Sequence, residues 1–223
     1  MLGAFARSDD AVEAAQTGNT VLIVPSYSDD AEQIAAALQA RQRFAVLSTH
    51  HVFGGPRATW DQGWAHTRAW IEPFVRRGIV AAVYVVDEPL HNGIPASTRD
   101  EAIGIVRAAG FRTMVAEWIE PNALRAARPP VDYYGVTCYD WPGYGAWTLE
   151  RCREAYRTHP DWNIVIGQGF DLQRRNGTPA QQVQAWREIA QGRAGLLFWV
   201  WRWPGQTGIA DDPALLAAFR ALG

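Results

Sequence analysis

The 223-residue chain contains no lysine, and all 21 of its basic side chains are arginine. That absence removes Schiff-base chemistry and the lysine of a Walker-type phosphate loop. Cysteine is nearly absent too: Cys138 and Cys152 are the whole complement, too few for a disulfide framework. The two read as small buried hydrophobes in preference to a bridge or a metal pair. No apolar run nears the ~20 residues of a membrane span, so no membrane-embedded helix is expected. The net charge of −2 offers no basic excess to neutralise phosphates, which argues against a nucleic-acid partner. Met1 to Arg7 show no charged segment followed by a long apolar one. The expectation is therefore a cytoplasmic chain, or one released without a signal peptide. Against these absences stands one excess, 11 tryptophans, in a composition otherwise ordinary for a globular protein.

Short β-rich runs alternate with amphipathic segments. Strands are expected at 2–5, 20–24, 44–48, 79–86, 113–116, 133–138, 163–166 and 195–201. Between them, helices are expected over 9–15, after Asp29 and Asp30, within 60–77, over 121–127 and over 149–156. Further helix starts are marked by a Thr98–Glu101 capping box and by the cap-plus-proline pairs Thr178–Pro179 and Asp212–Pro213. Eight such units average about 28 residues each, the size of a βα repeat. Apolar strands alternating with helices imply a parallel sheet covered by helices. Eight units without a spare imply an α/β fold of one kind, a single compact (β/α)₈ TIM barrel spanning 1–223 as one domain. A doubly wound open sheet would need a glycine fingerprint after the first strand, and Ala6-Arg7-Ser8-Asp9 is not one.

In such a barrel, chemistry gathers where strands run into the following loops. Those ends hold no Cys/His metal set and no Ser-His-Asp order, so neither a metal nor a cofactor is expected. The sharpest feature is Asp87-Glu88-Pro89, where an apolar strand finishes in two carboxylates. The bland alternative is a solvated loop start. A partly desolvated Glu88 beside an ionised Asp87 has its pKa raised, which suits a general acid near neutral pH. Other strand ends offer Arg7, Tyr27, His50 and His51, Glu117 and Trp118, Tyr139, Asp140 and Trp141, and Gln168 and Asp171. Adjacent strand residues face opposite ways, so His50 and His51 do not make one metal site. Arg7 is expected to hold Asp87 or Glu88. Trp199, Trp201 and Trp203 alternate along the last strand, so all three leave one face. Of these, Trp201 and Trp203 are expected to reach the mouth beside Trp118 and Trp141, while Trp64, Trp70 and Trp186 fill the core. Gly205-Gln206-Thr207-Gly208 invites a phosphate reading, which the missing lysine weakens.

Val85-Val86-Asp87-Glu88-Pro89 resembles the fourth-strand motif of (β/α)₈ glycoside hydrolases, in which Asn-Glu-Pro or Asp-Glu carries the catalytic acid. Tyr139, the tryptophans of the eighth strand and Ile164-Val165-Ile166-Gly167 resemble further elements of that group. The resemblance implies Glu88 as acid/base, Tyr139 as a polarising group and the tryptophans as a sugar platform, with His50, Tyr27, Arg7 and Gln168 as further sugar contacts. One departure matters: Gln168 stands where cellulase-like members carry a nucleophilic Glu, and an amide is neither nucleophile nor base. Three outcomes follow. Asp87 and Glu88 resemble the tandem pair of hydrolases whose N-acetylhexosamine substrate supplies its own nucleophile. Alternatively, Asp140, Glu117 or Asp171 activates water and the reaction inverts. In the third, the barrel binds carbohydrate without cutting it. The leading expectation is a monomeric, metal-independent glycosidase with a carbohydrate substrate, no nucleic acid and no membrane partner.

Overall fold

The computed structural model describes residues 1–7, 10–17, 20–24, 45–119, 127–140, 147–172, 177–202 and 204–222. Among these, eight parallel strands close into a barrel in sequence order: β1 Leu2–Arg7, β2 Thr20–Val24, β3 Ala45–Ser48, β4 Val80–Asp87, β5 Thr113–Trp118, β6 Tyr133–Thr137, β7 Ile164–Gln168 and β8 Gly195–Trp199. Closure is made by β1 against β8, with Leu2, Gly3 and Ala4 opposite Leu196, Leu197 and Phe198. The helices are α1 Ala11–Ala15, α2 His50–Phe53, α3 Trp60–Arg76, α4 Ala96–Ala108, α5 Leu149–Thr158, α6 Pro179–Ile189 and α7 Pro213–Arg220. None of these is long and apolar enough to cross a membrane. The expected helices after Asp29 and over 121–127 fall on, or almost wholly on, residues outside the described set.

Strand alternation divides the core in two. Phe5, Val46, Ala82, Tyr84, Met114, Ala116, Ile164, Ile166 and Leu197 fill the barrel interior. Their neighbours Ala4, Ala6, Leu47, Val83, Val115, Val136, Val165, Leu196 and Phe198 pack outward, with Trp60, Trp64, Trp186 and Phe219 of the helices. This period of two is what a sheet covered on its outer face by helices requires.

Two helix starts follow the expected chemistry. Thr178 and Gln181 form a reciprocal capping box with Pro179 in the first turn, and Asp212 accepts from the N–H groups of Ala214 and Leu215. The Thr98–Glu101 box does not form. Pro95, in an extended conformation, starts α4 three residues earlier and leaves Thr98 inside the helix. The cysteines correct a second expectation: Cys138 and Cys152 are joined by a disulfide across a Cα separation of 6.1 Å. Both are fully buried, and the bond ties the exit of β6 to α5.

Candidate active site

At the carboxyl end of the barrel lies a cavity of about 120 Å³ lined by Phe5, Tyr84, Asp87, Glu88, Trp118, Thr137, Tyr139 and Trp199. Both carboxylates reach it through irregular backbone. Strict alternation from Tyr84 would send Asp87 outward, but the β4–β5 register slips between Tyr84 and Asp87. The slip returns Asp87 to the inner face, as a bulge re-aims a side chain. Glu88 then takes a left-handed φ of +41°, uncommon for a residue with a Cβ. Its N–H donates to the Ala116 carbonyl at 3.0 Å, and its carbonyl accepts from Asn92 N–H at 2.9 Å.

Asp87 is fixed from several directions. The Tyr84 hydroxyl donates to its carboxylate, and its own N–H donates to His50 Nδ1 at 3.1 Å. That acceptor role leaves the proton of a neutral His50 ring on Nε2. The ring is seated over Gly54, where a Cβ would stand 2.7 Å from its Cε1. Burial raises the Asp87 pKa, against the Tyr84 hydrogen bond, which lowers it. Tyr139 is pushed well above the usual phenol range by burial first and by the charges of Glu88 and Asp87 next. It therefore stays a hydrogen-bond donor at any working pH. Thr137 Oγ1 lies 3.3 Å from Glu88 Oε1. The walls are aromatic. Trp118 meets Tyr139 edge-on at 5.4 Å and stacks with His91 at 5.5 Å, and Trp199 leans on Phe5 at 5.1 Å.

The structure thus brings together Asp87, Glu88, Tyr139 and Trp118, with His50 behind Asp87. Other expectations change. Trp201 does not reach the mouth: it is 1% exposed and packs against Phe219 in the outer layer. The reason is that β8 ends at Trp199. Beyond it Val200 joins the interior group and Trp201 N–H bonds the Phe5 carbonyl, so alternation no longer applies. Trp199 takes the place on the cavity wall instead. Gln168 is 1% exposed with its amide engaged at both ends, accepting from Asp140 N–H and donating to the Phe170 carbonyl, both at 2.9 Å. It clasps the exits of β6 and β7 and is not among the lining side chains.

Asp140 is half-buried outside the lining, and Arg7 closes β1, also outside it. Glu117 shares the outward parity of Val115 and faces α4, where it pairs with Arg99. Asp171, at φ +47°, exchanges hydrogen bonds with Thr207 through its N–H and its carboxylate. His50 is not on a strand; it opens the one-turn helix α2, and His51 is exposed. Tyr27, Trp141 and Trp203 lie outside the described residues. Among the described residues no cluster of three or more His, Cys, Asp or Glu is placed to hold a metal. Phe5, Tyr84 and Thr137 were not foreseen. Inward parity near the ends of β1, β4 and β6 was the signal that could have found them.

No family model and no curated protein matches the sequence. Similarity appears in solved structures. XacCel5A, solved in complex with cellopentaose, superposes with a TM-score of 0.59 at 11% identity, covering 100% of this chain and 98% of its own. The catalytic domain of a mannanase from Streptomyces sp. SirexAA-E gives 0.58 at 19%, covering 93% and 73%. The YdjI aldolase from Escherichia coli K12 gives 0.53 at 12%, covering 88% and 74%. At these identities the shared property is the α/β barrel fold, and chemistry must be argued from the site.

Proposed function

We propose that the chain is a glycosidase, cleaving the O-glycosidic bond of an oligo- or polysaccharide with Glu88 as general acid/base. The observation that carries this reading is one cavity at the carboxyl end of the barrel where Asp87 and Glu88 meet between aromatic walls. Aromatic faces suit the C–H faces of a sugar ring, and a carboxyl pair suits protonation of the leaving oxygen. The cavity is smaller than the ~300–1,000 Å³ of sites that enclose a whole ligand, so it would take the reacting side of a single sugar unit. The barrels that act on or bind glycans, named above, add weight at the level of fold.

Among the described residues the lining side chains include no carboxylate besides Asp87 and Glu88, which favours a substrate that brings its own nucleophile. In an N-acetylhexosamine the acetamido oxygen attacks the anomeric carbon while Glu88 protonates the departing oxygen. Asp87 accepts from the acetamido N–H, and Tyr139 donates to the acetamido oxygen. Water, deprotonated by Glu88, then opens the cyclic intermediate, so the configuration is retained. An inverting reaction loses support at Glu117, which faces away, and at Asp140 and Asp171, which lie outside the lining. The proposed active unit is the chain 1–223 as one monomeric domain. The test is turnover of para-nitrophenyl N-acetyl-β-hexosaminides and reducing-end release from a polysaccharide panel. Glu88→Gln should lower kcat by about 100-fold or more. Undiminished hydrolysis by that variant would overturn the role given to Glu88, and tryptophan quenching by sugars without any release would leave a binding barrel as the better reading.

A further inference from the structure

Glu117 and Arg99 form a buried pair that the chemistry above does not use. Glu117 is 0% and Arg99 5% exposed, and Arg99 Nη1 stands 3.8 Å from Glu117 Oε1. A carboxylate taken out of water beneath a helix costs stability unless a cation and hydrogen bonds answer it. The second oxygen of Glu117 shows what the pair holds, because Oε2 accepts the N–H of Leu90 at 3.0 Å. One residue earlier on the same strand, the Ala116 carbonyl accepts the N–H of Glu88 at 3.0 Å. Strand β5 therefore grips the turn on both sides of Pro89, which has no N–H of its own to contribute. Pro89 in turn accepts from Ile94 N–H at 2.8 Å, and Arg99 N–H donates to the Pro95 carbonyl. Arg99 thus closes a circuit from α4 through Glu117 back to the turn bearing Glu88.

The left-handed backbone of Glu88 must be held by its surroundings, and this grip is what holds it. We infer that Glu117 is a positioning residue: through Leu90 N–H, and with its charge balanced by Arg99, it aims the Glu88 carboxyl into the cavity. The inference rests on the glycosidase reading but is tested apart from it. If para-nitrophenyl N-acetyl-β-hexosaminides are turned over and Glu88→Gln abolishes that turnover, the reading stands whatever happens at Glu117.

Two double variants separate positioning from charge. Arg99→Leu with Glu117→Leu removes both charges and the acceptor; Arg99→Gln with Glu117→Gln removes the charges and keeps an amide oxygen for Leu90. The leucine pair should lose about 10- to 100-fold in kcat, the scale of a misplaced catalytic group, with KM and sugar-induced tryptophan quenching little changed. The glutamine pair should recover about tenfold or more of that loss. Leu90→Pro deletes the N–H that donates to Glu117 and leaves both charges, while also exchanging the side chain and restricting Pro89; it should lower kcat as the leucine pair does. Equal kcat in the two double variants, or wild-type kcat in Leu90→Pro, would overturn the assignment. So would a loss of quenching in step with kcat.

Discussion

Asp87 is bonded at its carboxylate by Tyr84, at its N–H by His50 and at its carbonyl by Asn92 Nδ2, 2.8 Å away. Burial is nevertheless the largest influence on its ionisation, and it raises the pKa. Below pH ~4 the carboxyl is protonated in the folded and unfolded chains alike. As pH climbs from there through the raised folded value, the unfolded chain ionises freely while the folded one resists. Stability is therefore lost over that window, by about 1.4 kcal/mol for each pH unit by which the pKa is raised. Asp87→Asn, which still offers Tyr84 an oxygen, should melt higher than the parent at pH ~7 and lose that advantage near pH ~4. Its kcat should fall. An equal melting difference at both pH values would show that burial of the charge is not the cost. The pair itself was legible as two carboxylates closing an apolar strand. The register slip that turns Asp87 inward was not, because it arises in the pairing of β4 with β5 and leaves no mark in composition.

At the scale of elements, the disulfide is the feature with the clearest energetic consequence. Its partners are 14 residues apart, and closing a loop of about 15 residues stabilises by about 3 kcal/mol on the chain-entropy account. The loop begins at Tyr139, so the bond also anchors a side chain of the cavity. Cys138→Ala with Cys152→Ala should lower the melting temperature by about 6–12 °C, and mild reduction should act in the same direction. A shift within about 1 °C would place the stabilisation elsewhere. Capping chemistry was readable wherever a side chain makes the cap, as at Thr178 and Asp212. It failed at Thr98, where Pro95 sets the boundary through backbone geometry. The cysteines were misread because pairing depends on whether β6 and its following helix bring two buried thiols together, a tertiary fact.

For the molecule as a whole, strand number, order and closure followed from eight apolar runs alternating with helices. What alternation leaves open is where a strand stops, and the tryptophans of the last strand turn on that point. Trp199 belongs to the barrel interior and Trp201 to the shell between barrel and helices. Trp201→Ala should cost about 3–5 kcal/mol of stability, as for other buried aromatic truncations, and leave quenching by N-acetylhexosamine oligosaccharides intact. Trp199→Ala should weaken that quenching at a smaller cost in stability. The reverse pattern would exchange the two assignments. The cysteine pair carries a last implication, for how the molecule is made. Two thiols in one chain admit a single intramolecular pairing, and theirs spans only one strand–helix unit. Oxidation can therefore run ahead of barrel closure with no wrong partner within the chain to unmake.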